Sequence, residues 1–164
     1  MTILTIRNIF IYLTLSSAIL LGIIIYNDHH FRNNPLPGDI LKKIDQKNRY
    51  IVSLIKKRYN IHFNVPILIS DKMPDNLFGL AAYTKDKKIK IILNKNRFQE
   101  SVEYMIDYVL PHEYAHAMMF RLGDFTKQEG GHTKKWQQIC LALEGKKCDR
   151  FVDHKDIIFG KVPY

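Results

Sequence analysis

The stretch "VLPHEYAHAMMF", Val109–Phe120, places His112, Glu113 and His116 in the pattern His-Glu-x-x-His. Histidines at i and i+4 share one helix face, one turn apart, so both imidazoles reach the same point in space. The glutamate beside the first histidine projects from a neighbouring face. There it can stand next to a metal-bound water without being a ligand. Zinc lowers the pKa of such a water toward neutrality, and a carboxylate takes the proton. Chance produces this three-letter pattern in about 1% of chains of this composition. The rest of the chain must therefore separate a metal centre from two histidines that merely pack a turn apart.

A catalytic zinc takes three protein ligands and keeps one position open. No third histidine follows at short spacing, and the downstream candidates are Asp124, Glu129, His132 and His154. His132 fits best. It opens the segment "HTKKWQQICLALEG", in which Trp136, Ile139, Cys140 and Leu143 recur at i, i+3, i+4 and i+7. That period predicts an amphipathic last helix ending at Gly145 and packed beside the His-Glu helix. His132 stands four residues before Trp136, on the same inward face. Gly130 and Gly131 let the backbone come close just before it. The plain alternative is a histidine that only caps or packs at a helix start.

Upstream, Pro111 suits the first turn of a helix, where its missing N–H has no intrahelical partner. The His-Glu helix is thus expected to start or kink there, after a helical run from Ser101 to Leu110, and to end at Gly123. "LAAYTKDKKIKIILN", Leu80–Asn94, reads as a hairpin turning at Thr84–Lys87. "VPILIS", Val65–Ser70, reads as a buried strand. Ile40, Leu41, Ile44, Ile51, Leu54 and Ile55 recur at helical spacing up to Tyr59, predicting an amphipathic helix with lysines outward. The expected fold class is α+β: a small antiparallel sheet with flanking helices, a minimal zincin-like core.

"IFIYLTLSSAILLGIIIY", Ile9–Tyr26, is eighteen residues without a charge. As a helix it is just long enough to cross a bilayer. It exceeds the apolar core of most signal peptides, and the Tyr26-Asn27-Asp28-His29-His30 that follows does not suit a cleavage site. The expected organisation is an anchor over residues 1–32 (span about 9–26), a linker over 33–39 and one domain over 40–164. Arg7 and the amino terminus before the span, against Asp28 and Arg32 after it, place the amino terminus in the cytoplasm and the domain outside it. The chain of 164 residues carries 25 Lys and Arg against 16 Asp and Glu, a net +9. The lysines lie in short pairs along the whole length, which reads as a solvated surface more than a binding patch. An anionic partner, nucleic acid or a membrane surface, is the alternative that this charge leaves open.

"VLPHEYAHAMMF" followed by "GGHTKKWQQICLALEG" resembles the SprT-like metalloprotease domain of bacterial SprT proteins and eukaryotic Spartan proteases. The preceding "IKIILNKNRF" is similar to the strand that leads into the helix before that family's active site. The resemblance spans roughly Ile40 to Arg150. It implies zinc held by His112, His116 and His132, with Glu113 as catalytic base. Many members continue into a cysteine-rich zinc ribbon or a DNA-binding tail, whereas this chain has two cysteines, Cys140 and Cys148, and an apolar amino-terminal segment. Both departures turn the expectation away from a DNA-linked role. The function expected is a membrane-anchored zinc endopeptidase acting on a protein or peptide through a zinc-activated water. The alternative is a catalytically silent, zinc-stabilised basic binding module. One strand of the hairpin would pair with an extended substrate. Tyr83, Arg121 and His154 are candidate oxyanion donors. Outside the cytoplasm, Cys140 and Cys148 are placed to pair.

Overall fold

The fold was read from a computed structural model, which describes residues 3–126 and 128–149, with side chains for 5–126 and 130–149. The chain divides into two units, Met1–Leu36 and Pro37–Tyr164. The first is a single helix, α1 (Ile3–Asn33). Its Thr5–Asn33 portion has a mean hydropathy of 2.3 over its best window and buries none of it. Length and composition therefore suffice to cross a membrane. The hydroxyls of Thr14, Ser16 and Ser17 donate to carbonyls of Phe10 and Leu13 one turn back. These three hydroxyls are thus satisfied within the helix, as a lipid surround requires.

The second unit opens with α2 (Gly38–Tyr59), whose Ile40, Ile44, Ile51, Leu54 and Ile55 are buried. Leu41, expected on that stripe, is 43% exposed, because its position falls on the flank of the helix. Asn60 ends the helix in the left-handed conformation, which asparagine tolerates at a C-cap. Three strands follow: β1 (Ile67–Ser70), β2 (Gly79–Tyr83) and β3 (Ile89–Asn94). The sheet order is β1-β3-β2, so β2 forms an edge. The hairpin pairs antiparallel, with Ala81 opposite Ile91, and turns through Thr84–Lys88. The expectation of an antiparallel sheet holds for that hairpin alone. β1 lies parallel to β3, Ile67 opposite Ile91, and the sheet is mixed. Alternation of apolar residues sets which face of a strand is buried but carries no information on direction.

Asn94 caps the strand end. Its side chain donates to the carbonyls of Pro74 (3.1 Å) and Leu77 (2.8 Å) and accepts from the Asn96 N–H. A 3-10 turn (Lys95–Gln99) then leads to Ser101, which caps α3 (Val102–Tyr104) by accepting from the Tyr104 N–H. The helix runs through a π turn, Met105–Val109, into α4 (Leu110–Arg121) without a break. Pro111 accounts for the π turn. A proline inside a helix lacks the N–H and crowds the carbonyl four residues back. That carbonyl is Asp107, which instead accepts the backbone N–H of Lys146 at 3.5 Å. The sequence expectation of a start or kink at Pro111 is thus met by a widened turn.

α5 (Lys134–Ala142) is shorter than expected at both ends. Thr133 is its N-cap, His132 lies just outside it, and Glu144 takes a left-handed conformation before Gly145. The stripe Trp136, Ile139, Cys140 and Leu143 is buried as its spacing requires. Cys140 and Cys148 form a disulfide. A Cβ on Gly145 would fall 2.8 Å from the Cys140 Sγ and 3.0 Å from the Cys148 Sγ, so only glycine fits beside the bridge.

Candidate metal centre

α4 carries His112 and His116 one turn apart, and the loop before α5 brings His132 to them. The His132 Nε2 lies 3.0 Å from the His112 Nε2 and 3.2 Å from the His116 Nε2. Three nitrogens bound at about 2.0–2.1 Å around a tetrahedral ion would lie about 3.3 Å apart. Two of the separations are close to that spacing and all three donors lie within 4.8 Å of one another, so the cluster can hold a metal ion. Two glycines with left-handed backbone, Gly130 and Gly131, make the approach of His132. A Cβ on Gly131 would meet the His116 ring at 3.4 Å, so the close passage favours glycine twice over.

Trp136 forms the floor. Its ring centroid is 4.6 Å from that of His112, 5.2 Å from His116 and 4.5 Å from His132. Fully buried itself, it keeps water from the back of the imidazoles. Burial, followed by the neighbouring His116 and His132, pushes the His112 pKa down to about 3. Burial and then His132 push His116 down to about 4. Both rings are neutral at ordinary pH, the state in which imidazole binds a metal.

Glu113 is 6% exposed. One of its oxygens accepts the backbone N–H of Ala81 on β2 at 2.8 Å. Burial pushes its pKa up to about 8, against the lowering effect of the Ala81 hydrogen bond. A divalent cation at the three imidazoles would favour the ionised form. The carboxyl group is thus buried, held in one orientation, and lines the same cleft as the three imidazoles. It has room only because residue 79 is glycine: a Cβ there would lie 2.8 Å from the Glu113 Cγ and 2.9 Å from the Val109 Cγ1.

The cluster opens into a cleft of about 440 Å³ whose other walls are β2, the Tyr104–Val109 turn and residues Lys147 and Asp149. The Asn94 N–H donates to the Phe78 carbonyl at 2.9 Å. With the register of the pair, this turns residues 80 and 82 toward β3. The backbone groups of Gly79, Ala81 and Tyr83 therefore face away from the sheet.

Sequence reasoning placed His112, Glu113, His116 and His132, and the fold brings all four together. Other candidates fall elsewhere. Asp124 is engaged by Thr126 and by Lys135 at 3.2 Å. Tyr83 packs its ring against Phe125, centroids 4.9 Å apart, and neither it nor Arg121 lines the cleft among the described residues. The Glu129 side chain and His154 lie outside the described residues. Gly79, Ala81, Tyr104, Tyr108, Lys147 and Asp149 were not singled out from the sequence. Gly79 and Ala81 act through backbone and shape, which no residue pattern announces, and the others reach the cleft only through tertiary packing.

Compared with protein-family models, residues 40–154, more than half of the chain, match the SprT-like family. No curated protein and no solved structure matches.

Proposed function

The chain belongs to the SprT-like family, and on that footing we propose that it is a membrane-anchored, zinc-dependent endopeptidase. The observation that carries the reading is the convergence of three imidazole nitrogens, 3.0 and 3.2 Å apart, beside a buried glutamate held by the edge strand. Three histidines with a fourth side open toward a cleft form the donor set of a catalytic zinc site. Zinc, when bound, supplies the Lewis acidity that polarises a peptide carbonyl and lowers the pKa of water.

The chain's own residues do the rest. The outward backbone groups of Gly79 and Tyr83, with the Ala81 carbonyl (its N–H is held by Glu113), offer an extended peptide a strand to pair with, which lays its carbonyl across the centre. Glu113 accepts a proton from the attacking water and passes it to the departing amine. Its hydrogen bond to Ala81 ties the base to the strand that holds the substrate, so both move as one body. Trp136 shields the imidazoles from behind. A buried glutamate of this kind has no task in a purely structural zinc site, which favours turnover over a silent binding module.

α1 supports the anchor, with an apolar run long enough to span the hydrocarbon core. The disulfide supports a domain outside the cytoplasm, where such bonds persist. The deciding experiment compares the full-length protein, solubilised in detergent, with Glu113→Gln. The variant is expected to keep one zinc per chain and lose peptide cleavage, because the amide retains shape but takes no proton. Cleavage by Glu113→Gln at the wild-type rate would overturn the mechanism.

A further inference from the structure

The cleft that holds the three histidines and Glu113 has a further wall, joined to Glu113 through Val109. That wall is made by Tyr104, Tyr108 and Val109, by Phe78 at the approach to β2, and by Lys147 and Asp149 beyond α5. The aromatic part is prebuilt. Tyr104 and Tyr108 stack with centroids 4.8 Å apart at 15°, and Phe78 meets Tyr104 edge-on at 5.6 Å. The Arg97 guanidinium covers the Phe78 ring at 4.6 Å.

The outer wall is equally fixed. The disulfide ties Cys148 to α5. Asp107, inside the π turn, holds Lys146 through its carboxylate at 2.7 Å and through its carbonyl at 3.5 Å, and holds Lys47 of α2 at 2.9 Å. The Lys146 ammonium stands 5.8 Å from the centre of the Tyr108 ring. At the rim, the opposite charges of Lys147 and Asp149 lie 3.9 Å apart and offset one another. Among the described residues the recess is therefore braced by these contacts, largely apolar, and its Lys147–Asp149 pair leaves no net charge to select an ionic side chain.

The side on which Glu113 lies gives this recess its role. In the proposed reaction Glu113 protonates the departing amine, so the residue that carries that amine lies next to Glu113. Val109 adjoins Glu113 there: both come within 3.0 Å of the point where a Gly79 Cβ would stand. We propose that the Tyr104–Tyr108–Val109 recess is the specificity subsite for the residue immediately after the cleaved bond, and that it takes a large apolar side chain, aromatic by preference. This inference rests on the peptidase reading of the centre and adds the class of substrate.

The test uses the full-length, zinc-loaded protein in detergent. Products from a random peptide library, read by mass spectrometry, are expected to carry Phe, Tyr, Leu or Met at their new amino termini. A hydrophobic subsite separates side chains differing by one methylene by about tenfold or more, so Phe over Ala at that position should reach at least that ratio in kcat/KM. Tyr108→Ala should collapse the ratio, and Tyr108→Phe should restore it. A second reading needs no turnover: two peptide hydroxamates that differ only in a benzyl or a methyl group at this position are titrated against the wild-type protein. The benzyl compound should bind about tenfold tighter or better. Equal binding of the pair, or an unchanged ratio in a folded Tyr108→Ala variant, would overturn the subsite. If Tyr108→Ala does not fold, the wild-type hydroxamate pair decides alone. Discrimination between the hydroxamates without peptide cleavage would refute the peptidase reading and leave the subsite standing. Cleavage with no preference after the broken bond would do the reverse.

Discussion

Replacing Gly79 by alanine tests the placement of Glu113 without removing a single functional atom. Gly79 is not among the described glycines with left-handed backbone, which are Gly123, Gly130 and Gly131. The strand therefore accepts a side chain, and any effect is steric. The added methyl would fall 2.8 Å from the Glu113 Cγ, 2.9 Å from the Val109 Cγ1 and 3.0 Å from a Glu113 carboxylate oxygen. Carbon atoms in contact settle at about 3.5–4.0 Å, so the overlap to be relieved is roughly 0.7–1 Å. Either Glu113 swings aside or β2 lifts from α4, and both responses lengthen the 2.8 Å bond to the Ala81 N–H. A displacement of about 1 Å at a reacting group costs about 10²-fold in rate, and overpacking costs about 1–3 kcal/mol of stability. The three histidines are untouched, so zinc content should stay at one per chain. Peptide cleavage, zinc by elemental analysis and thermal unfolding of the same preparation separate these effects. A folded, zinc-loaded Gly79→Ala variant that cleaves within about threefold of wild type would refute the reasoning, because the base would then tolerate a displacement that the mechanism forbids.

His132→Ala should lose most of the zinc, since two ligands hold it weakly; full occupancy would reassign the third ligand, with Glu129 the next to examine. Asp107→Asn should lower the melting temperature at neutral pH by removing the pairs to Lys146 and Lys47, at a cost of about 1–2 kcal/mol after allowance for partial exposure. Burial raises the Asp107 pKa, but the hydrogen bonds and charges of those lysines outweigh it and hold the group below its ordinary value. Its stabilisation is therefore complete above the unfolded-state aspartate pKa of about 4 and fades as pH falls through the depressed folded value. The gap between wild type and variant should close in acid, and a gap that persists in acid would mean packing rather than charge. Cys148→Ser opens a loop of sequence separation 8 and should cost about 2–3 kcal/mol. In cells both cysteines should resist thiol labelling until a reductant is added, and a protease should digest the domain in spheroplasts. Survival there, with digestion only after lysis, would put the domain in the cytoplasm.

Much of the centre could be read from the chain because its parts are local or periodic. His112 and His116 are joined by one helical turn, and the stripe from Trp136 to Leu143 obeys the same period. His132 was reached because it extends that stripe backward, even though the helix proper begins only after Thr133. The burial of α2, the hairpin and the apolar run of α1 follow from patterning of the same kind.

Side-chain periodicity specifies which face of an element is buried, and that is as far as the sequence alone determined this protein: the four residues of the centre, the helices and hairpin that carry them, and an apolar amino-terminal helix. Matters that depend on which elements meet, and at what distance, were decided by the tertiary structure. The parallel entry of β1 beside β3 is one, since alternation does not encode strand direction. The π turn before α4 is another, because a carbonyl left without its partner by Pro111 is satisfied by Lys146, far along the chain. Gly79 matters only because Glu113 and Val109 press on it from another element, and Tyr108 matters only because the bridged segment after α5 folds back beside it. Such contacts join residues separated by 24 or more positions, and their energy comes from excluded volume and desolvation at a meeting point that no local pattern contains.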